Sequence, residues 1–188
     1  METPMIKNEV FEGDVCEVNI TSGVSPKDVE SLLDMARTSG LFTPNELLAA
    51  EDMAWGCAYQ GDNTSCCFLQ AKINTPDGDK PIGFLCFAEI SHWAHNFELF
   101  GIAVTPEYQR LGIGSALIVE MERITLAANG KRILLETGDS RDFEELRLFY
   151  EANGYVMEQH FFKQFIPKDD GVVYCRLLES VENSDNFQ

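Results

Sequence analysis

Gln109-Arg110-Leu111-Gly112-Ile113-Gly114-Ser115-Ala116 follows the apolar run Leu99 to Val104, so a buried strand empties into a glycine loop that opens a helix. Gly112 and Gly114 lack a Cβ, which lets backbone approach a ligand closely and take conformations other residues resist. The first N–H groups of the helix behind them have no partner inside it, and together with the positive end of the helix dipole they favour an anion such as phosphate or pyrophosphate.

The type of phosphate ligand narrows by elimination. A Walker loop needs Lys and then Ser or Thr after its last glycine, whereas Gly114 is followed by Ser115 and Ala116. A dinucleotide fingerprint needs a third glycine where this chain has Leu117. On the loop alone, a ligand-free glycine turn stays open beside the anion cradle.

Composition sets the frame. A chain of 188 residues that is 45% hydrophobic, with 13 Phe, suits one domain with a sizeable core. Thirty-one acidic residues against 14 basic ones give a formal charge of -17, which repels nucleic acid and anionic membrane surfaces and draws cationic or amine molecules in. The six cysteines show no CxxC spacing and mostly lie in apolar runs, the pattern of reduced thiols in a cytoplasmic protein. No basic leader with an apolar core stands behind Met1, and no window reaches about 18 uninterrupted apolar residues, so neither a signal peptide nor a membrane span is expected.

Along the chain, Val15 to Ile20 alternates as a first strand. Ser25-Pro26-Lys27-Asp28 and Thr43-Pro44-Asn45-Glu46 each offer a hydroxyl N-cap, a Pro at the first helical position and an acid able to reach back. Val29, Leu32, Leu33 and Ala36 form one face of the first helix; Leu47, Leu48, Ala50, Ala54 and Ala58 mark the second less cleanly. Strands over 66–73 and 82–90 flank Pro76-Asp77-Gly78, a hairpin turn. Next come a strand over 97–104, the glycine loop, a helix stopping near Asn129-Gly130, a buried strand at Ile133-Leu134-Leu135, and a helix from about Asp142 to Asn153 stopped by Gly154. Strands over 155–165 and 172–178 complete the order. Strand, helix and strand at this spacing argue for a parallel pair with a right-handed crossover.

Gln/Arg-x-x-Gly-x-Gly after Ile102-Ala103-Val104 resembles the coenzyme A loop of the GNAT superfamily of N-acetyltransferases. About 40 residues on, Glu136-Thr137-Gly138 through Leu148-Phe149-Tyr150-Glu151-Ala152-Asn153-Gly154-Tyr155 resembles that family's second signature, and Ser39 to Leu47 is similar to a bacterial subgroup. The resemblance implies an α/β fold with about seven mixed strands, about four helices and splayed central parallel strands. It implies a single domain over 12–178, with 1–11 and 179–188 as flexible termini. It further implies acetyl-CoA as acyl donor, with no metal, and transfer of the acetyl group to a primary amine by direct attack in a ternary complex. The acceptor would be a small amine or a peptide amine. Because exposed final strands often pair in this fold, a homodimer is expected.

Carried over by position, Ile102, Ala103 and Val104 would hold the cofactor arm and offer an N–H to the thioester oxygen. Gln109, Arg110, Leu111, Gly112, Ile113, Gly114 and Ser115 would wrap the pyrophosphate. Glu98, a lone acid in an apolar run, is the candidate base; partial burial would raise its proton affinity. A strand-edge carboxylate in solvent stands beside that reading. Tyr150 is the candidate acid, with a core tyrosine on the Leu146, Phe149, Tyr150 stripe as the alternative. Many family members carry Asn seven residues before this Tyr, where this chain has Phe143. His92 and His95 lack helical i, i+4 spacing and a further ligand, so a metal site is not expected; they, or Trp93, could border an acceptor. Two other functions share these residues: a noncatalytic acyl-CoA-binding regulatory module, and a protein or peptide N-terminal acetyltransferase.

Overall fold

Pro76 and Asp77 are the only residues between the paired positions Thr75 and Gly78, and Gly78 takes φ 110°, which closes a tight hairpin between β4 (Cys66–Thr75) and β5 (Gly78–Glu89). The computed structural model describes residues 10–11, 14–15, 17–61, 66–158 and 171–178. Its other strands are β1 (Val10–Phe11), β2 (Asp14–Val15), β3 (Val18–Ser22), β6 (Asn96–Val104), β7 (Arg132–Gly138), β8 (Val156–Met157) and β9 (Gly171–Leu177). The helices are α1 (Val29–Ser39), α2 (Pro44–Gln60), α3 (Ile113–Ala127) and α4 (Glu144–Ala152). Seven strands form a mixed sheet in the order β3-β4-β5-β6-β7-β9-β8, and β1 pairs with β2 apart from it. This is the mixed α/β architecture that the signatures imply. Among the described residues no helix is long and apolar enough to cross a membrane.

The chain divides into two compact units, Met1–Glu89 with Leu99–Met121, and Ile90–Glu98 with Glu122–Gln188. In the first, α1 buries Val29, Leu32, Leu33, Met35 and Ala36 beside Ala50, Ala54 and Cys57 of α2 and Phe68, Phe84, Cys86 and Ala103 of the strands. α2 starts with a complete capping box: Glu46 N–H donates to Thr43 Oγ1 (3.3 Å), and Thr43 N–H donates to a Glu46 carboxylate oxygen (2.7 Å). α1 does not start at Ser25-Pro26. Its cap is Asp28, whose carboxylate accepts from Ser25 Oγ and, across 44 residues, from Lys72 Nζ, both at 2.8 Å. Burial drives the Asp28 carboxyl upward in pKa, but the hydrogen bonds from Lys72 and Ser25 outweigh it and leave the group below its ordinary value.

One irregularity in the hairpin bears on the site. Ala71 pairs with Gly83 and Lys72 with Pro81, so Ile82 is an extra residue in β5. Such a bulge tolerates Pro81, which has no N–H to give a ladder, and turns the Ile82 carbonyl out of register. That carbonyl accepts from Thr105 N–H (2.9 Å) and Thr105 Oγ1 (3.1 Å), anchoring the chain where β6 ends.

In the second unit β9 pairs antiparallel with β7 from Arg132↔Leu177 to Gly138↔Gly171, and β8 pairs with β9. The last helix begins at Glu144, behind a 3-10 turn over Arg141–Phe143, two residues later than the sequence pattern suggests. Gly154 stops it at φ 82° as expected. At the end of α3 the left-handed residue is Asn129 (φ 60°); Gly130 is required for space, since a Cβ there would stand 2.8 Å from Phe97 Cε2. Of the expected strand over 155–165, β8 is described and the part from 159 on lies outside the described residues, as do Cys16, His160 and the tail from 179.

Candidate functional site

The glycine loop is built from the end of β6 upward. Ile102 and Ala103 are buried and Val104 is half-buried; Gly83 of β5 lies so close that a Cβ there would stand 3.2 Å from the Ala103 carbonyl oxygen and 3.4 Å from Ile113 Cγ2. Beyond Thr105 the 3-10 turn Pro106–Tyr108 leads to Gln109, whose side-chain amide donates to the Val104 carbonyl at 2.9 Å. Sequence reasoning gives Gln109 to the pyrophosphate; the structure uses its amide to fold the loop back on the strand.

Arg110 (φ 63°) and Gly112 (φ 78°) are both left-handed, on either side of Leu111. For Gly112 this costs nothing special, but a side chain held there costs about 1–2 kcal/mol, and strain of this kind gathers at ligand-binding loops. The Arg110 side chain is exposed. α3 begins at Ile113, with Ala116 N–H donating to the Gly112 carbonyl at 2.9 Å. The N–H groups of Ile113, Gly114 and Ser115 therefore have no acceptor inside their own helix. Ile113 is buried and fixes the helix start, while Gly114 and Ser115 are half-exposed. The expected loop residues from Gln109 on thus lead into a cradle of three helix-start N–H donors, at Ile113, Gly114 and Ser115, an arrangement of the kind that holds an anion.

In the second unit, Glu98 is half-buried on β6 and its carboxyl is pushed above the ordinary range by burial first and then by the charge of Glu136. Glu136 is a residue sequence reasoning quotes in a signature without giving it a role. It stands on β7 opposite Val173, and a Cβ on Gly171 would sit 3.1 Å from its Cδ, so Gly171 leaves room for that carboxylate. The available signal was an acid amid Ile133-Leu134-Leu135 and Thr137, the same pattern that singled out Glu98.

Tyr150 is buried, 4% exposed. Its carbonyl accepts from Tyr155 N–H (3.0 Å), and Gly154 N–H donates to the Glu151 carbonyl (2.9 Å). These two bonds, with Tyr150 and Tyr155 rings 5.9 Å apart, make a Schellman cap with its apolar contact. The Gly-Tyr pair of the signature is thus the device that holds Tyr150. Tyr174 lies 6.3 Å from the Tyr150 ring and donates to Glu151 Oε1 at 2.8 Å; burial and then that bond push its phenol up to about 12. Behind the cap, Arg176 reaches the Gly154 carbonyl (Nη1 to O, 3.3 Å) and Glu122 (Nε to Oε1, 3.4 Å). Phe143, which replaces the common Asn, lies over Gly138, where a Cβ would meet its ring Cε2 at 2.6 Å. Arg147 Nη1 donates to the Gly138 (2.7 Å) and Ser140 (2.8 Å) carbonyls, so the turn before α4 is pinned from the helix. His92 and His95 are exposed, and among the described residues no three His, Cys, Asp or Glu side chains are grouped for a metal ion.

A family model described as acetyltransferase (GNAT) family matches residues 29–155. Similar solved structures include a GNAT-family acetyltransferase from Desulfovibrio desulfuricans, 26% identical, matched over 86% of this chain and 99% of that one with a TM-score of 0.75. The PaiA N-acetyltransferase of Thermoplasma acidophilum, solved in complex with coenzyme A, is 22% identical over 85% of this chain and 98% of its own, with a TM-score of 0.65. The ribosomal-protein-S18-alanine N-acetyltransferase of Escherichia coli is 18% identical over 90% and 99%, with a TM-score of 0.61. These last two, at such identity, speak to the fold. No curated protein sequence matches the chain.

Proposed function

The chain belongs to the GNAT acetyltransferase family, and from that premise we propose that it is an N-acetyltransferase that moves an acetyl group from acetyl-CoA to a primary amine by direct attack. Acyl transfer from coenzyme A is what the family membership implies; the amine and the residues that serve it are our reading. The observation that carries this reading is the cradle over 109–115, where a strained Arg110 and a left-handed Gly112 precede three helix-start N–H groups. In this reading those donors and the Arg110 charge hold the pyrophosphate, and the backbone of Ile102, Ala103 and Val104 runs beside the arm.

Acetyl-CoA when bound supplies an activated thioester carbonyl. Glu98 accepts the proton that the amine must shed, directly or through a water, and its burial beside the Glu136 charge lifts its proton affinity toward the useful range. Tyr150 gives its phenolic proton to the leaving sulfur and recovers it from solvent. The net charge of -17 favours the encounter with cationic acceptors. The test is thiol release from acetyl-CoA across a panel of primary amines. Turnover that falls 100-fold or more in Tyr150→Phe with coenzyme A affinity unchanged supports the proposal, in line with the ~10²–10⁴-fold worth of a positioned acid. Tight coenzyme A binding without turnover on any amine overturns it in favour of an acyl-CoA-binding module.

A further inference from the structure

α2 keeps two large apolar side chains, Leu48 and Tyr59, off the core that the rest of the helix covers. Its inner face packs through Ala50, Ala54 and Cys57 with Leu47, Met53, Trp55 and Ala58 against the same core, while Leu48, Asp52 and Tyr59 follow i, i+4, i+11 along the outer one. Leu48 is 62% exposed and Tyr59 76%. The Trp55 ring leans against the core and carries the Tyr59 ring stacked on it, centroids 5.6 Å apart and planes 16° from parallel. One face of the Tyr59 ring is thereby held and the other is open to solvent. Glu51 sits beside this stripe and Asp52 within it, and the sequence has no Lys or Arg between Arg37 and Lys72.

Leu48 and Tyr59 offer apolar surface on either side of the half-buried Trp55, and the charges say what fits it. Anionic lipid and nucleic acid are repelled by a chain of net charge -17. A second copy docking face to face would bring Glu51 and Asp52 against their own equivalents and two such net charges together. Cations on aliphatic stems satisfy both features at once: guanidinium or ammonium heads lie over the open aromatic face and pair with the carboxylates, and their methylenes lie along Leu48. We propose that the outer face of α2 is a docking surface for an Arg- and Lys-rich segment of a partner protein. This goes beyond the acetyl-transfer reading and does not depend on it.

The test uses the full chain and fluorescein-labelled decapeptides of five Arg and five Leu, or five Glu and five Leu, read by anisotropy. The Arg peptide binds at least tenfold more tightly than the Glu peptide. Two double variants each weaken it at least tenfold: Leu48→Ser with Tyr59→Ser, which touches only exposed side chains, and Glu51→Gln with Asp52→Asn. The charge control on α1, Glu30→Gln with Asp34→Asn, leaves affinity within twofold. Far-UV circular dichroism is unchanged in all of them, so each variant is folded. The proposal is overturned if the control weakens binding as much as the α2 charge variant, since global charge would then explain it. It is equally overturned if the Leu48/Tyr59 variant binds like wild type, or if sedimentation shows a wild-type dimer that this variant dissociates.

Discussion

Gly112 and Gly154 form a matched pair, left-handed at φ 78° and 82°, that differ in what surrounds them. A Cβ at Gly112 would meet nothing within 4 Å, whereas one at Gly154 would press on the Arg176 guanidinium, 3.0 Å from its Cζ. Gly112→Ala therefore carries only the cost of a side chain in the left-handed region, about 1.5 kcal/mol. Gly154→Ala carries that cost plus the displacement of Arg176 from the Gly154 carbonyl, a further ~1 kcal/mol for a lost hydrogen bond. For a chain of this size each kcal/mol moves the melting temperature by roughly 2–4 °C, so Gly112→Ala falls by about 3–6 °C and Gly154→Ala by about 5–10 °C. Urea denaturation gives the two free energies directly, and values that agree within about 0.5 kcal/mol would refute the role given to Arg176, that margin being the usual noise of additivity. Kinetics separate the pair again: Gly112→Ala raises KM for acetyl-CoA with little change in kcat, and Gly154→Ala lowers kcat because the cap it breaks holds Tyr150.

The remaining predictions concern charge and thiols. Neutralising Glu136 by Glu136→Gln removes one of the two causes that raise Glu98, so the acid limb of the kcat/KM profile moves to lower pH; an unmoved limb refutes the pairing. A raised carboxyl binds its proton more tightly in the folded chain, so its stabilising contribution is complete below the ordinary carboxylate pKa and is lost as pH rises through the raised one. Glu98→Gln consequently melts above wild type at neutral pH and level with it in acid below the carboxylate range, while losing turnover. Among the described cysteines, exposed Cys67 reacts first with an aromatic disulfide; Cys86, pushed up to about 12 by burial and then by Cys57, reacts only on unfolding, as timed thiol counts will show.

The elements with local signals were legible beforehand: the capping box at Thr43, the Pro76-Asp77-Gly78 turn, and the strand, glycine loop and helix over 99–121. What the sequence hid depends on distant partners. Ser25 reads as a cap until Lys72, 44 residues away, claims Asp28. Glu136 gains meaning only once its charge is felt at Glu98, 38 positions earlier. The left-handed Arg110 is invisible to composition, because only Gly and Asn advertise that conformation. The stripe on α2 reads less cleanly because Leu48 faces outward while Leu47, Met53 and Trp55 pack with Ala50 and Ala54 on the core.

The β4–β5 hairpin joins ten residue pairs through two intervening residues, so its closure costs less chain entropy than any other pairing in the sheet could. Isolated hairpins form in about 1–10 μs, far ahead of long-range strand pairing. The bulge at Ile82 is therefore present early, and its out-of-register carbonyl waits for Thr105 as the later chain arrives. Folding order and ligand geometry are linked through this one residue: a defect at the Gly78 turn delays the fold, and in the same stroke delays the moment at which the anion loop acquires its shape.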